Sequence, residues 1–247
     1  MSARQKDLLK HIYYPESDGQ PMGETDKHIL LLMNLRFILD MFFCATPQVY
    51  VGSNLMCYYV EGHPKKSISP DVFVVRGAEK GERRVYKFWE EPAPQVVFEL
   101  SSRKTRKADL TEKKDIYAWL GVREYFVFDP EYKLKPPLRA FRLRGQELVE
   151  EIVTGNRVIS HELGLELVND GLTLRLYNPQ TNEFLRTAAE EYVASQEAED
   201  RVAQAQAHAA QSQAHAAQAQ ARAAQAEDRA AYLAARLRAL GIDPDHE

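Results

Sequence analysis

The stretch "VVFELSSRKTRKADLTEKKDIYAW", Val96 to Trp119, puts a carboxylate inside a strand of buried type and a lysine on the apolar face of the helix that follows. Val96, Val97, Phe98 and Leu100 are apolar, so the segment reads as a core strand. Alternation places Val97, Glu99 and Ser101 on one face and Phe98 and Leu100 on the other. A carboxylate buried alone among valines is costly to desolvate, so Glu99 requires a cation or a face open to solvent. A basic loop comes next, then a helix predicted from Leu110 to Leu120. Asp109 and Glu112 have the spacing of an N-cap and its N3 partner, which predicts a capping box at the helix start. At about 100° per residue from Leu110, Lys113 falls at roughly 300°, within the arc of Ile116, Leu120 and Tyr117 at roughly 240°, 280° and 340°. Lys114 lies off that arc, at roughly 40°. An ammonium on the core face either snorkels outward along its stem or stands beside a carboxylate.

Working outward, Gly121 gives a C-cap signal and "EYFVFD" the next strand. Upstream, a helix is expected from about Asp26 to Phe43, then short strands in "QVYVGSN", "LMCYYV" and "DVFVV", then a charged, proline-containing connection, "KGERRVYKFWEEPAP". Downstream, "LRAFRLRG", "LVEEIVTG" and "LELVNDGLTLRLY" read as further strands punctuated by glycine. Residues 1–24 read as irregular. The order predicts a mixed α/β domain with a sheet at its centre, over residues 1–186.

A second acid, Asp71, heads the strand after Pro70 in "SISPDVFVV". His28 shares a helix arc with Leu31, Leu32, Leu35, Leu39 and Phe42, and a satisfied core histidine is the expected account. Two carboxylates at strand positions with a lysine nearby suit a Mg²⁺ site. That ion takes one or two carboxylates and completes its shell with water and phosphate, and a lysine can position the attacking water or stabilise charge on phosphorus.

The chain resembles the Uma-two family of restriction-endonuclease-like proteins, within the PD-(D/E)xK nuclease superfamily. The match is carried by "SPDVFVV" (69–75), "VVFELSS" (96–102), "TRKADLTEKKDIYAWLGVREYFVFDP" (105–130) and the pattern His28-x5-Asn34-Leu35, and it spans roughly residues 10–185. The resemblance implies a restriction-endonuclease-like mixed sheet flanked by helices and a Mg²⁺-dependent endonuclease acting on phosphodiester bonds. DNA is the expected partner, and Mn²⁺ an alternative ion. By motif position Asp71 is the first metal acid and Glu99 the second. The superfamily places a lysine two residues after the glutamate, where this chain has Ser101. Lys113 on the following helix takes that role, with Lys104 and Lys107 as fallbacks. Arg103, Lys104, Arg106 and Lys107 are the expected phosphate contacts. His28, Ser101, Asp109 and Tyr117 are expected to support the site. The alternatives are a catalytically silent nucleic-acid-binding module and a coiled-coil assembly module on the same fold.

Composition is consistent with this reading. The chain has 247 residues, 45% hydrophobic, and a net charge of −4. Ten acids against five arginines lie from Ala188 onward, which leaves the rest near neutral. Within that rest, Ser101 to Lys114 holds six Lys/Arg against two acids, a basic strip suited to a phosphate-bearing partner. Cys44 and Cys57 are too few for a thiolate zinc site, no stretch reads as a secretory signal or membrane span, and a cytoplasmic protein is expected. From Ala203 a seven-residue repeat rich in Ala and Gln predicts one long coiled-coil helix over 187–247. Its alanine stripe runs into Leu233, Leu237 and Leu240, which predicts a helix that either dimerises through its end, as a homodimer, or packs on a partner. His208 and His215 are read as surface residues of the repeat.

Overall fold

The computed structural model describes residues 12–19 and 24–240, so the irregular reading of residues 1–11 and 20–23 lies outside it. The chain divides into two compact units, Met1–Ala188 and Ala189–Glu247.

In the first unit, α1 (Asp26–Phe42) is capped by Thr25, whose hydroxyl accepts from the His28 amide. It buries Leu31, Leu35, Ile38 and Leu39, the apolar stripe of a one-sided helix. The central sheet has the order β1-β4-β6-β7-β8-β9. Its strands are β1 (Val49–Ser53), β4 (Val72–Arg76), β6 (Val96–Leu100), β7 (Glu124–Phe128), β8 (Leu138–Arg144) and β9 (Glu147–Glu151). Within this sheet, among the described residues, only β6 and β7 run parallel. The crossover between them carries α2 (Arg106–Leu110) and α3 (Glu112–Leu120). Parallel neighbours cannot be joined by a tight turn, so this topology fixes a helix over one sheet face.

The two faces of the sheet have separate cores. Val72, Val74, Val96, Phe98 and Leu100 pack with α1 and with a second sheet made of β10 (Arg157–Ser160), β11 (Leu165–Asn169), β12 (Leu174–Asn178) and β13 (Glu183–Phe184). Phe73, Val75, Val97, Tyr125 and Val127 pack with Tyr117 and Ala118 of α3 and with a small sheet of β2 (Cys57–Tyr58), β3 (Ser67–Ile68) and β5 (Tyr86–Lys87). Both faces of β6 are covered, which is why it reads as a nearly continuous apolar run.

Several local expectations shift. "LMCYYV" yields only the two-residue β2, and the charged connection contains β5. The predicted capping box does not form. Helical structure begins earlier, at Arg106, and breaks at Thr111 (φ −129°, ψ −91°). Asp109 is inside α2 and caps no amide, because its carboxylate faces Lys113 instead. Gly121 ends α3 at φ 82°, a left-handed C-cap that glycine adopts without a Cβ clash.

The second unit is α4 (Ala188–Ala239), a single helix of 52 residues with no buried residue. His208 and His215 are exposed, as are Leu233, Leu237 and Leu240.

Candidate active site

Glu99 projects from β6 onto the α3 side and is 1% exposed. The Tyr117 hydroxyl donates to its Oε1 at 2.6 Å, and the Lys113 ammonium donates to its Oε2 at 2.7 Å. Lys113 is thus on the Glu99 side of the sheet, as the helical arc requires, with its side chain 21% exposed. Its ammonium also meets Asp109 Oδ1 at 3.0 Å, one turn back. Asp109 is fully buried, and neither of its carboxylate oxygens has a hydrogen-bond partner among the described residues. Its backbone carbonyl accepts from the Tyr125 hydroxyl at 2.8 Å, which pins α2 to the sheet.

Asp71 precedes β4. The ladder pairs Val72 with Phe98 and stops there, so Asp71 sits just outside it at the head of the strand. Asp71 Oδ2 accepts from the Leu100 amide at 2.6 Å. Its Oδ1 faces His28, whose Nε2 lies 3.8 Å away. His28 is buried, as its apolar arc predicts. It sits where the leucine stripe meets the carboxylates, and its Nε2 lacks a hydrogen-bond partner among the described residues. Glu24 Oε2 stands 2.8 Å from that nitrogen. Sequence reasoning missed Glu24, although its spacing four residues before His28 was a usable signal. Ser101 is fully buried. Its amide extends the ladder to the Phe128 carbonyl at 2.8 Å, and its hydroxyl has no hydrogen-bond partner among the described residues.

The basic loop separates into two kinds of residue. Arg103, Lys104 and Lys107 are exposed. Arg106 is held by the buried carboxylate of Asp129 at 2.8 Å, and Asp129 also accepts from the amides of Glu131 and Leu134. Its guanidinium is therefore engaged in holding the crossover to the end of β7. Lys114 lies against the Phe141 ring, away from the carboxylates.

Burial dominates the electrostatics. Desolvation pushes the Glu99 carboxyl up to about 8; Lys113 pulls it back, and Asp71 and Asp109 add to the rise. Desolvation lowers Lys113, but Glu99, Asp109 and Asp71 together outweigh it, and the net shift is upward. The ammonium therefore stays charged while Glu99 holds a proton more tightly than an ordinary carboxyl.

Residues 10–175 match the family model Uma2, described as "Putative restriction endonuclease". The chain belongs to the Uma2 family. The matched span contains Asp71, Glu99, Asp109 and Lys113 and ends before α4. Among solved structures, this Uma2-family chain is similar to a protein titled "putative nuclease belonging to DUF820 from Anabaena variabilis ATCC 29413". The two are 16% identical with a TM-score of 0.44, over 64% of this chain and 89% of that one. No curated protein matches the chain. Among the described residues, no helix is long and apolar enough to cross a membrane.

Proposed function

We propose that the first unit is a nuclease that hydrolyses phosphodiester bonds of DNA, using a divalent cation, Mg²⁺ or Mn²⁺, held by Asp71 and Glu99. The observation that carries the reading is the Lys113 ammonium set between the buried carboxylates of Glu99 and Asp109, with Asp71 near enough to act on both Glu99 and Lys113. A structural ion pair alone does not require a second and third acid in the same place.

The donor set suits a hard cation. Asp71 Oδ1 is not held by a backbone amide, and each Glu99 oxygen keeps a lone pair beyond the one its donor uses. When bound, such an ion polarises the phosphodiester and acidifies water next to it. The chain's own residues do the rest. Tyr117 fixes the Glu99 rotamer. Lys113 has three N–H donors and Glu99 accepts one, which leaves donor capacity for a phosphate oxygen as charge builds on phosphorus. Glu99 has to release its proton to act as a ligand, so cation binding tightens as pH rises toward about 8. Arg103, Lys104 and Lys107 contact backbone phosphates and supply salt-sensitive affinity. Arg106 orients the loop through Asp129. The alanine stripe of α4, ending in Leu233 and Leu237, joins two copies.

The test is cleavage of plasmid, linear duplex and single-stranded DNA by the full chain with Mg²⁺ or Mn²⁺, with and without chelator. Cleavage that chelator abolishes and Lys113→Met removes is the expected result. Salt-sensitive DNA binding with no cleavage under any ion would leave a silent binding module on the same fold.

A further inference from the structure

A cavity of about 670 Å³ lies between α3 and the hairpin of β2 and β3. Glu112, Asp115, Ile116 and Trp119 fall at i, i+3, i+4 and i+7, so α3 presents them to the cavity on one face. Tyr59 and Lys66 line it from the hairpin. The Tyr59 amide donates to the Lys66 carbonyl at 3.2 Å, which sets the two residues opposite each other. The catalytic carboxylate is near. The Glu99 charge acts on Cys57, two residues before Tyr59, and Lys113 follows Glu112 directly on α3.

Three kinds of group meet in this lining. The first is aromatic. The Trp119 indole is 66% exposed, although Tyr117 and Ala118 beside it are buried. Tyr59 meets the indole edge to face, with ring centroids 6.0 Å apart and planes at 71°. The two rings make a corner in which a flat ligand stacks on one ring and abuts the other. The second group is acidic. Glu112 and Asp115 are exposed, and as ionised carboxylates they only accept hydrogen bonds. The third is the exposed ammonium of Lys66. Among the described residues, none of these three charged side chains forms an ion pair.

The combination selects a ligand with a flat face, donors along its edge and an anionic group. An organic cation satisfies the carboxylates and the rings but is repelled by Lys66. Inorganic phosphate satisfies Lys66 and nothing else. A nucleotide satisfies all three. Among the bases, guanine carries two donors side by side, N1–H and N2–H, which match the two oxygens of one carboxylate. Adenine and cytosine set their amino group beside a ring-nitrogen lone pair that a carboxylate repels. Thymine sets its single N–H between two carbonyl oxygens.

We propose that this cavity takes an unstacked guanine of the substrate strand, with its ring on Trp119, its Watson–Crick edge on Glu112 or Asp115 and its phosphate on Lys66. The proposal rests on the nuclease reading and makes that nuclease base-selective. In a duplex the guanine has to leave the stack, so single-stranded DNA is the favoured substrate.

The experiment is isothermal titration of the full chain with dGMP, dAMP, dCMP, dTMP and spermidine. It is run on wild type, Trp119→Ala, Trp119→Phe and the double variant Glu112→Gln with Asp115→Asn. All three positions are exposed, so the variants keep the fold. Wild type should bind dGMP about tenfold more tightly than dTMP. Trp119→Ala should weaken dGMP binding about fivefold or more, and Trp119→Phe should restore most of the loss. The double variant should bring dGMP down toward dTMP and leave dTMP no weaker. Equal binding of the four nucleotides overturns the proposal, as does dGMP affinity unchanged in Trp119→Ala and in the double variant. Spermidine binding more tightly than dGMP overturns it as well. Sequencing the products of Mg²⁺-dependent cleavage of a random single strand separates the two readings. Cuts at a fixed step from guanine support the site. Cuts without base preference remove it and leave the nuclease standing. Selective dGMP binding without cleavage under any ion supports the guanine site and removes the nuclease.

Discussion

Replacing Lys113 with methionine isolates its charge, because the thioether keeps the apolar stem packed against α3. In the native protein the ammonium lies 2.7 Å from Glu99 and 3.0 Å from Asp109, whose side chains are 2% and 1% exposed. Above pH 8, where native Glu99 is ionised, removing its partner leaves uncompensated buried charge, at a cost of about 3–5 kcal/mol. For a protein of this size that lowers the melting temperature by roughly 6–20 °C. The cost should depend on pH in a definite direction. The native Glu99 carboxyl, ordinarily 4.5, is already pushed up to about 8 with Lys113 present. Without the ammonium it rises further. Below pH 8 native Glu99 is protonated in both proteins. Above pH 8 the wild type stops losing stability through this group, while the variant goes on losing about 1.4 kcal/mol per pH unit until its own higher pKa is passed. Urea unfolding followed by the fluorescence of Trp89 and Trp119 reads the first unit, since both tryptophans lie there. A deficit that widens between pH 7 and pH 9 is expected. A deficit below about 1 kcal/mol, or one equal at the two pH values, would refute the buried-pair argument.

Glu99→Gln should remove a pH slope rather than create one. In wild type the raised carboxyl contributes stability that is fully present below pH 4.5 and lost by pH 8, and the amide cannot titrate, so the difference in unfolding free energy between the two proteins should slope across that window. Lys104→Ala and Lys107→Ala should each weaken DNA binding and flatten the log K against log salt plot by roughly 0.9, whereas Arg106→Ala should chiefly cost stability by stranding buried Asp129. Leu233→Asp with Leu237→Asp, both exposed on α4, should shift a dimer to monomer in sedimentation without altering Mg²⁺ binding; an unchanged mass distribution would end the self-association reading.

The sequence alone determined much of the frame. Val96–Leu100 had to be a covered strand because every position but one is apolar, and the heptad repeat from Ala203 could only be a long helix. The placement of Lys113 followed from helical geometry, since rotation per residue is local and needs no partner. Tertiary structure decided what those side chains meet. Asp109 had the spacing of a capping residue, but the crossover buries it beside Lys113, where pairing an ammonium outweighs capping an exposed amide. Arg106 read as a phosphate contact like its neighbours, until the end of β7 placed Asp129 within its reach. His28 read as core because its helix stripe is apolar, yet the fold brings Asp71 to it from 43 positions further along the chain. Periodicity describes which side of an element a residue occupies. Which charge waits on that side depends on contacts distant in sequence, and for buried ionisable groups those contacts set both stability and chemistry.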